Sequence, residues 1–444
     1  MQLIPTFTMS VDEAIPIERL NGILKKLHTV LSHPLVALRI CAWSQQAQAW
    51  MCKLLKTAMS SFKSSTILVW FDAPSDSLTT NAYIETIGKL CRMLHLEHVC
   101  FSPSFTSEPL CPSDVQGWTC IPSLVHAIRR ECNTSNVWLV IQTILSGNYT
   151  QTPLHYKLKC LMPMADQLRL MSYYGILGGA TGLIVPIALG NLHQRVREDH
   201  IAALGVLANE AMLMSEWWRS GVRCADVSIA HPIPVAQHLV DSYSAINVVD
   251  IGQPMETIAL TRIYLDEHSL ISVVRWSDEL AFHPPVGVSD IRIKVPTRAL
   301  PARCRAYALR FPSLVKLPII RHTDELICTL PQFETIDTVL LTSDRELLEW
   351  IHERMNALAG SVMQFEVQQV LNEYNGIKRI HNTSQSRLPH AWMRTLNEMS
   401  KHVGQMLNSA RHRHTAHAIQ HAHEARRHYR KLLAMLLDIA CTPL

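Results

Sequence analysis

What most constrains this chain is an alternation that runs through its first 190 residues. Short apolar runs at Leu3–Phe7, Val36–Trp43, Thr66–Phe71, His98–Phe101, Val137–Ile144 and Gly182–Ile187 are separated by helical stretches at 11–32, 46–61, 80–95, 121–132 and 164–177. Each run is rich in β-branched or aromatic residues and apolar on both faces, as strands of a buried parallel sheet are. The repeat of about 30 residues is the length of one βαβ unit. The first helical stretch has Ser10 or Asp12 as N-cap and Pro16 in its early turns. Alternation of this kind predicts an α/β class and a parallel sheet, open or closed into a barrel.

The pattern changes after a long helical stretch at 195–220 that stops at Gly221. A segment with Pro232 and Pro234 reads as a linker. Short runs then follow without helices between them: Thr257–Leu265, Leu270–Trp276, Ser289–Val295, Arg305–Phe311, Leu326–Leu330 and Thr338–Leu341. Asp266-Glu267-His268 reads as the hairpin turn between the first two. Closely spaced strands with Pro and Asp turns predict an antiparallel β-sandwich. Ser343-Asp344-Arg345-Glu346 then carries a capping-box pattern. Residues 344–440 read as helical, with breaks at Gly360, Gly376 and Pro389 and a last helix over 408–438. Three segments are therefore expected: 1–224, 225–343 as linker and sandwich, and 344–444 as a helical region.

Composition narrows the class. Hydrophobic residues make up 48% and charged residues 18%, the latter below the roughly 25% of ordinary domains, so a large core is available. The net charge of +4 is too small a basic excess to call for nucleic acid. No apolar run reaches membrane-spanning length, and the start MQLIPTFTMSVDEA lacks the basic and apolar regions of a signal peptide. That start fits a cytoplasmic protein or a piece of a longer precursor. The 12 cysteines contain no CxxC pair and read as buried thiols, with Cys111 and Cys120 close enough in sequence for one loop bridge in an oxidising compartment.

Two regions carry a family resemblance. The first is Val137-Trp138-Leu139-Val140-Ile141-Gln142, then Asp166-Gln167-Leu168-Arg169 with the helix to Gly178, then Gly179-Ala180-Thr181-Gly182-Leu183-Ile184. This resembles strand seven, helix seven and strand eight of glycoside hydrolases built on a (β/α)8 barrel. The second is the following small sandwich at 253–343, placed as the accessory sandwich of those proteins is. The helical region after it is similar to one found in large uncharacterised bacterial proteins of that kind. The resemblance implies a truncated or incomplete barrel, because a full one has eight units in about 250 residues. It also implies a carbohydrate ligand, no cofactor and no bound metal.

In that family the acid/base follows strand four and the nucleophile follows strand seven. Here the fourth strand runs out into Ala42-Trp43-Ser44-Gln45-Gln46, and the seventh offers Gln142 where a Glu is wanted. Glycoside hydrolysis uses two carboxyl groups, one to give a proton and one to assist attack. A Gln does neither, although it can hydrogen-bond a sugar. The acids near strand ends include Asp72, Asp76 and Glu108, of which Asp72 and Glu108 are the candidate catalytic residues. Asp72 stands between Phe71 and Ala73-Pro74, where an Asp also serves as an ordinary turn residue. Trp43, Phe105 and Gln142 are the candidate sugar-binding residues; aromatics at strand ends are also ordinary packing groups. The sequence thus supports either a glycoside-hydrolase-like protein, active or degenerate, or a non-catalytic interaction protein that uses its helical region.

Other motifs point nowhere. Gly178-Gly179-Ala180-Thr181-Gly182 lacks the Lys-Ser/Thr of a P-loop and precedes a strand, so it reads as a tight helix-to-strand turn. There is no GxSxG elbow and no HExxH. His414, His417 and His421 share one helical face, and His417 and His421 stand at i, i+4, a spacing that suits Zn²⁺ or Ni²⁺. With no completing Cys or carboxylate, that face reads as solvated or interhelical.

Overall fold

A computed structural model describes residues 6–10, 35–41, 66–71, 80–101, 121–134, 136–141, 165–185, 194–224, 226–229, 247–250, 256–277, 288–384 and 388–441, with a few helical positions between 52 and 59. The chain divides into two compact units. One comprises 1–161 and 174–187, the other 162–173 and 188–444.

The first unit holds a six-stranded sheet in the order β1 (Thr6–Ser10), β2 (Leu35–Cys41), β3 (Thr66–Phe71), β4 (His98–Phe101), β5 (Asn136–Val140) and β6 (Gly182–Ile184). Every neighbouring pair is parallel. Among the described residues β1 and β6 pair on one side only. Helices α1 (Thr80–Leu94) and α2 (Ile121–Cys132), with the second half of α3 (Ala165–Gly178), belong to the same unit. Leu139 points toward α3, where Gly175 has no Cβ and so admits its side chain. Tyr83 of α1 donates to the carbonyl of Phe71 at 3.1 Å. On the other face of the sheet Ala37, Leu68, Trp70, Cys100 and Val140 form a cluster, with Trp138 and Ile184 against them. Right-handed crossovers between consecutive strands put their helices on one face of a sheet. The turn into β6 has Gly179 at φ +98° and Gly182 directly beneath the Trp138 indole. Both positions require glycine, for a backbone reason and a steric one respectively.

The second unit contains the sandwich. One sheet runs β14 (Ser313–Lys316), β13 (Arg305–Arg310), β17 (Ile336–Thr342), β11 (His268–Ser277), β10 (Glu256–Leu265), β7 (Val222–Cys224), with β9 (Asn247–Asp250) also on β10. The other runs β15 (Ile319–Arg321), β16 (Glu325–Phe333), β12 (Val288–Pro296), β8 (Ser228–Ile229). Alternate residues of both sheets, among them Ile258, Leu260, Ile271, Val273, Ile291, Ile293, Leu326, Cys328 and Val339, form one core cluster, which is the period-2 signature of two packed sheets. The expected hairpin is present, with Leu265 opposite His268 and Asp266 at φ +53°.

Helix α4 (Gln194–Ser220) lies along α5 (Arg345–Ser384), with Gly205 against the Phe365 ring. Asp344 caps α5: its Oδ1 accepts from the amides of Glu346 (2.8 Å) and Leu347 (3.2 Å). Helices α6 (His390–Arg411) and α7 (Thr415–Cys441) complete the region. Trp392, Leu396, Met399, Val403 and Met406 repeat at four- and three-residue steps on α6, and they pack with Val370 and Ile377 of α5 and Ala422, Ala425 and Leu432 of α7.

Three expected helix boundaries are corrected. α5 runs unbroken through Gly360 and Gly376. A glycine costs a helix only about 1 kcal/mol, less than the packing of one apolar face returns. The expected helix 408–438 is split: α6 ends at Arg411 and α7 begins at Thr415. His414 N–H bonds Ser409 C=O at 2.8 Å and Arg413 N–H bonds Ala410 C=O at 3.0 Å, the Schellman pattern. Its left-handed residue is Arg413 at φ +59°, so the glycine that normally signals this stop is missing. The expected break at Pro389 is present.

Among the described residues the free cysteines are 52, 91, 100, 132, 224, 304 and 328, all buried except the half-buried Cys224. Cys111 and Cys120, and the expected helix 11–32, lie outside the described residues. No described helix is long and apolar enough to cross a membrane.

Candidate functional site

Trp43, Asp72, Phe105, Glu108 and Gln142 all lie outside the described residues. Their chain positions are tied to described strand ends. β2 ends at Cys41, β3 at Phe71, β4 at Phe101 and β5 at Val140, so Trp43, Asp72, Phe105 and Gln142 follow the C-terminal ends of four successive parallel strands. In a parallel sheet those ends share one edge.

The sheet face opposite Leu139 carries polar and aromatic groups, among them Arg39, His98 and Trp138, to which the sequence assigned no role. Arg39, Trp70, Cys100, Trp138 and Gly182 are register partners in one row across β2 to β6. The Arg39 guanidinium stands 4.4 Å from the Trp70 ring centroid, a cation–π distance. His98 lies on the same face, one step toward the strand starts beside Leu68. The Trp70 Nε1 and His98 Nδ1 atoms are buried with no hydrogen-bond partner among the described residues. The available signal was an Arg inside the apolar run Leu35–Cys41.

A second concentration of chemistry lies in the second unit, where α3, α4, α5, α7 and the β16–β17 turn converge. Arg426 reaches Asp166, Glu366 (3.4 Å) and Glu373 (3.5 Å). Arg430 holds Asp166 at 3.0 Å and also binds Glu334. Arg427 binds Glu334 and donates to Gln332 at 2.9 Å. Arg169 pairs with Glu210, Arg310 pairs with Asp337, and His423 stands 3.7 Å from Glu366. Burial works against each carboxylate, but the guanidinium groups outweigh it at three of them. Arg426, Arg430 and Arg169 hold Asp166 well below the usual range. Arg430 and Arg427 bring Glu334 to about 2, and His423 and Arg426 bring Glu366 to about 2. At Glu373 burial wins, with the Asp166 charge adding to it, and the pKa rises to about 8. Burial also raises Glu210 and Asp337 against Arg169 and Arg310. The charges explain the split: Asp166, Glu334 and Glu366 balance Arg426, Arg427 and Arg430, and Glu373 is the surplus acid.

This cleft encloses about 130 Å³, against roughly 300–1,000 Å³ for small-molecule sites. It admits a few waters and its guanidinium groups are already engaged. The arrangement is a buried ionic clamp that fixes α7 to α3, α5 and the sandwich. Arg426 and Arg430, which the sequence leaves among the Arg and His of a solvated helix, are almost fully buried. Among the described residues, no group of three or more His, Cys, Asp or Glu is arranged to hold a metal ion.

No family model matches the chain, and no curated protein matches it. Among solved structures it is similar to alpha-L-fucosidase isoenzyme 2 from Paenibacillus thiaminolyticus, with a TM-score of 0.32 and 6% sequence identity over 78% of this chain and 100% of that one. A likeness of that size carries no argument, so the functional reading below rests on the chain's own residues.

Proposed function

We propose that this chain is a glycoside-hydrolase-like protein that binds carbohydrate at the C-terminal edge of its parallel sheet without cleaving it. The observation that carries the reading is the uninterrupted strand order β1 to β6 with every pair parallel. An open doubly wound sheet reverses its order, whereas a barrel does not. On this reading β1 to β6 are strands three to eight of an incomplete (β/α) barrel. The interval from β2 to β5 then equals the interval from strand four to strand seven, where the catalytic pair is expected.

In a barrel the ligand sits at the C-terminal strand ends. Trp43 and Phe105 there offer flat faces to the C–H side of a sugar ring, and Gln142 offers both a donor and an acceptor. Hydrolysis fails for want of acids, since Ser44, Gln45, Gln46 and Gln142 stand where the proton donor and nucleophile are required. Asp72 supplies a lone carboxyl unless Glu108 faces it, and one general acid contributes only about 10²–10⁴-fold.

The other reading, an interaction protein acting through its helical region, finds among the described residues there only two isolated exposed large apolar side chains, Trp350 and Met393. Single residues of this kind are ordinary on surfaces.

The test is incubation of the purified protein with a panel of aryl glycosides. No phenol release above background is expected. Turnover that disappears in Asp72→Asn would overturn the non-catalytic reading and make Asp72 the acid. Turnover indifferent to that change would overturn the strand assignment.

A further inference from the structure

The seam between α6 and α7 gathers three histidines, of which the sequence shows only the α7 members as neighbours. His402 of α6 faces His421 of α7, with Nδ1 atoms 3.4 Å apart and ring centroids 5.6 Å apart. His428, seven residues along α7, stacks on His402 with centroids 5.6 Å apart and ring planes within 20°. The His428 Nδ1 atom is buried and has no hydrogen-bond partner among the described residues. Burial, and after it the neighbouring imidazoles and Lys431, lower the pKa values of His421 and His428. Their rings therefore keep free lone pairs at neutral pH. Glu398 and Glu424 act on His428 in the opposite sense and favour positive charge beside it.

We propose that His402 and His421 form a two-nitrogen site for a divalent transition-metal cation such as Zn²⁺, Ni²⁺ or Cu²⁺. Two nitrogens each about 2.0–2.1 Å from a tetrahedral metal stand about 3.3–3.4 Å apart, which is the separation observed. When the cation binds, the proton that one ring would hold between the two Nδ1 atoms moves through water to its own Nε2, so both Nδ1 lone pairs face the metal. Water fills the remaining positions, and His428 becomes a third ligand if its ring turns about its side-chain torsions. Because the two ligands come from different helices, the cation ties α6 to α7 across the Arg411–Thr415 turn. The i, i+4 pair His417 and His421 is the competing arrangement; there the ring of His417 meets His414 edge to face at 6.1 Å between centroids.

The experiment uses the full chain, stripped with chelator and titrated calorimetrically with ZnCl₂ at pH 7.5. Binding of one equivalent and a rise in melting temperature with added Zn²⁺ are expected. His402→Ala and His421→Ala should each weaken binding about tenfold or more, while His417→Ala leaves it within about twofold. Binding should also weaken as the pH is lowered and protons compete with the metal for imidazole nitrogen. No binding, or binding lost in His417→Ala and retained in His402→Ala, overturns the proposal. Cu²⁺ electron paramagnetic resonance on the unmutated protein covers the case in which a variant fails to fold. Hyperfine coupling to two or more nitrogens supports the site, and an all-oxygen spectrum overturns it.

Discussion

Arg426→Met tests whether the buried ionic clamp holds the helical region in place. The Arg426 side chain is 4% exposed and touches three carboxyl groups that are 6%, 4% and 8% exposed. Methionine fills similar volume, so the loss is electrostatic rather than a cavity. Asp166 keeps Arg430 as a partner, but Glu366 is left with His423 at 3.7 Å and the charge of Arg169, with no guanidinium bonded to it among the described residues. One buried carboxylate is thereby left nearly uncompensated, a situation that costs about 3–5 kcal/mol. That is a large share of the roughly 5–15 kcal/mol that stabilises a typical domain. The assay is urea unfolding at pH 7, followed by far-ultraviolet circular dichroism for the transition that carries the helices. Arg427→Met is the control; Arg427 is 28% exposed, and about 1 kcal/mol is expected of it. In Arg426→Met the stranded carboxyls take up protons more readily than in the unmutated protein. Its deficit should therefore shrink as the pH is lowered from 7 to 4.5. A loss below about 1 kcal/mol, or a deficit that grows on acidification, would refute the reasoning.

Three further outcomes follow from the same geometry. Glu373, raised to about 8 from an ordinary 4.5, binds more protons folded than unfolded between those values. Its contribution is fully present below 4.5 and lost as pH rises through 8, at up to roughly 1.4 kcal/mol per pH unit, and Glu373→Gln should flatten that slope in a series of urea melts. Glu334 and Glu366, both near 2, have the opposite sign: their contribution is present above 4.5 and lost as pH falls through 2, which acid titration of the helical signal will show. Gly360 and Gly376 have open space where a Cβ would stand, so Gly360→Ala and Gly376→Ala should each add about 0.5–1 kcal/mol, measured by the same melts.

Most strands of the parallel sheet were legible as short apolar runs, whereas the first, expected at Leu3–Phe7, is described at Thr6–Ser10, where Thr6, Thr8 and Ser10 alternate with apolar residues. Thr66–Phe71 and His98–Phe101 are read from sequence with the bounds the structure gives them. The sandwich was legible through its period-2 alternation, and its hairpin through Asp266. Signals carried by a single residue type were weaker. Gly360 and Gly376 looked like stops because sequence shows the cost of a glycine and hides the packing that overrides it. The true stop at Arg413 was hidden because an arginine occupies a position where glycine is the usual mark. The ionic clamp was illegible for a different reason. Asp166, Glu334, Glu366 and Arg426 come from four separate elements, and only folding sets them side by side. His402 and His421 are separated in the same way, and the i, i+4 spacing visible in sequence pointed to His417 instead.

The reading of this chain as a carbohydrate-binding protein is tested most directly by isothermal titration calorimetry of the full chain against a panel of neutral and acidic oligosaccharides. Saturable binding of at least one sugar is expected, weakened roughly 3- to 10-fold by Trp43→Ala and by Phe105→Ala, as loss of a stacking platform implies. Asp72→Asn should leave affinity within about twofold, because a carboxyl that performs no chemistry needs only its hydrogen-bonding shape. Absence of heat with every sugar, or binding unaffected by both aromatic substitutions, would contradict the placement of a glycan at the ends of β2 to β5.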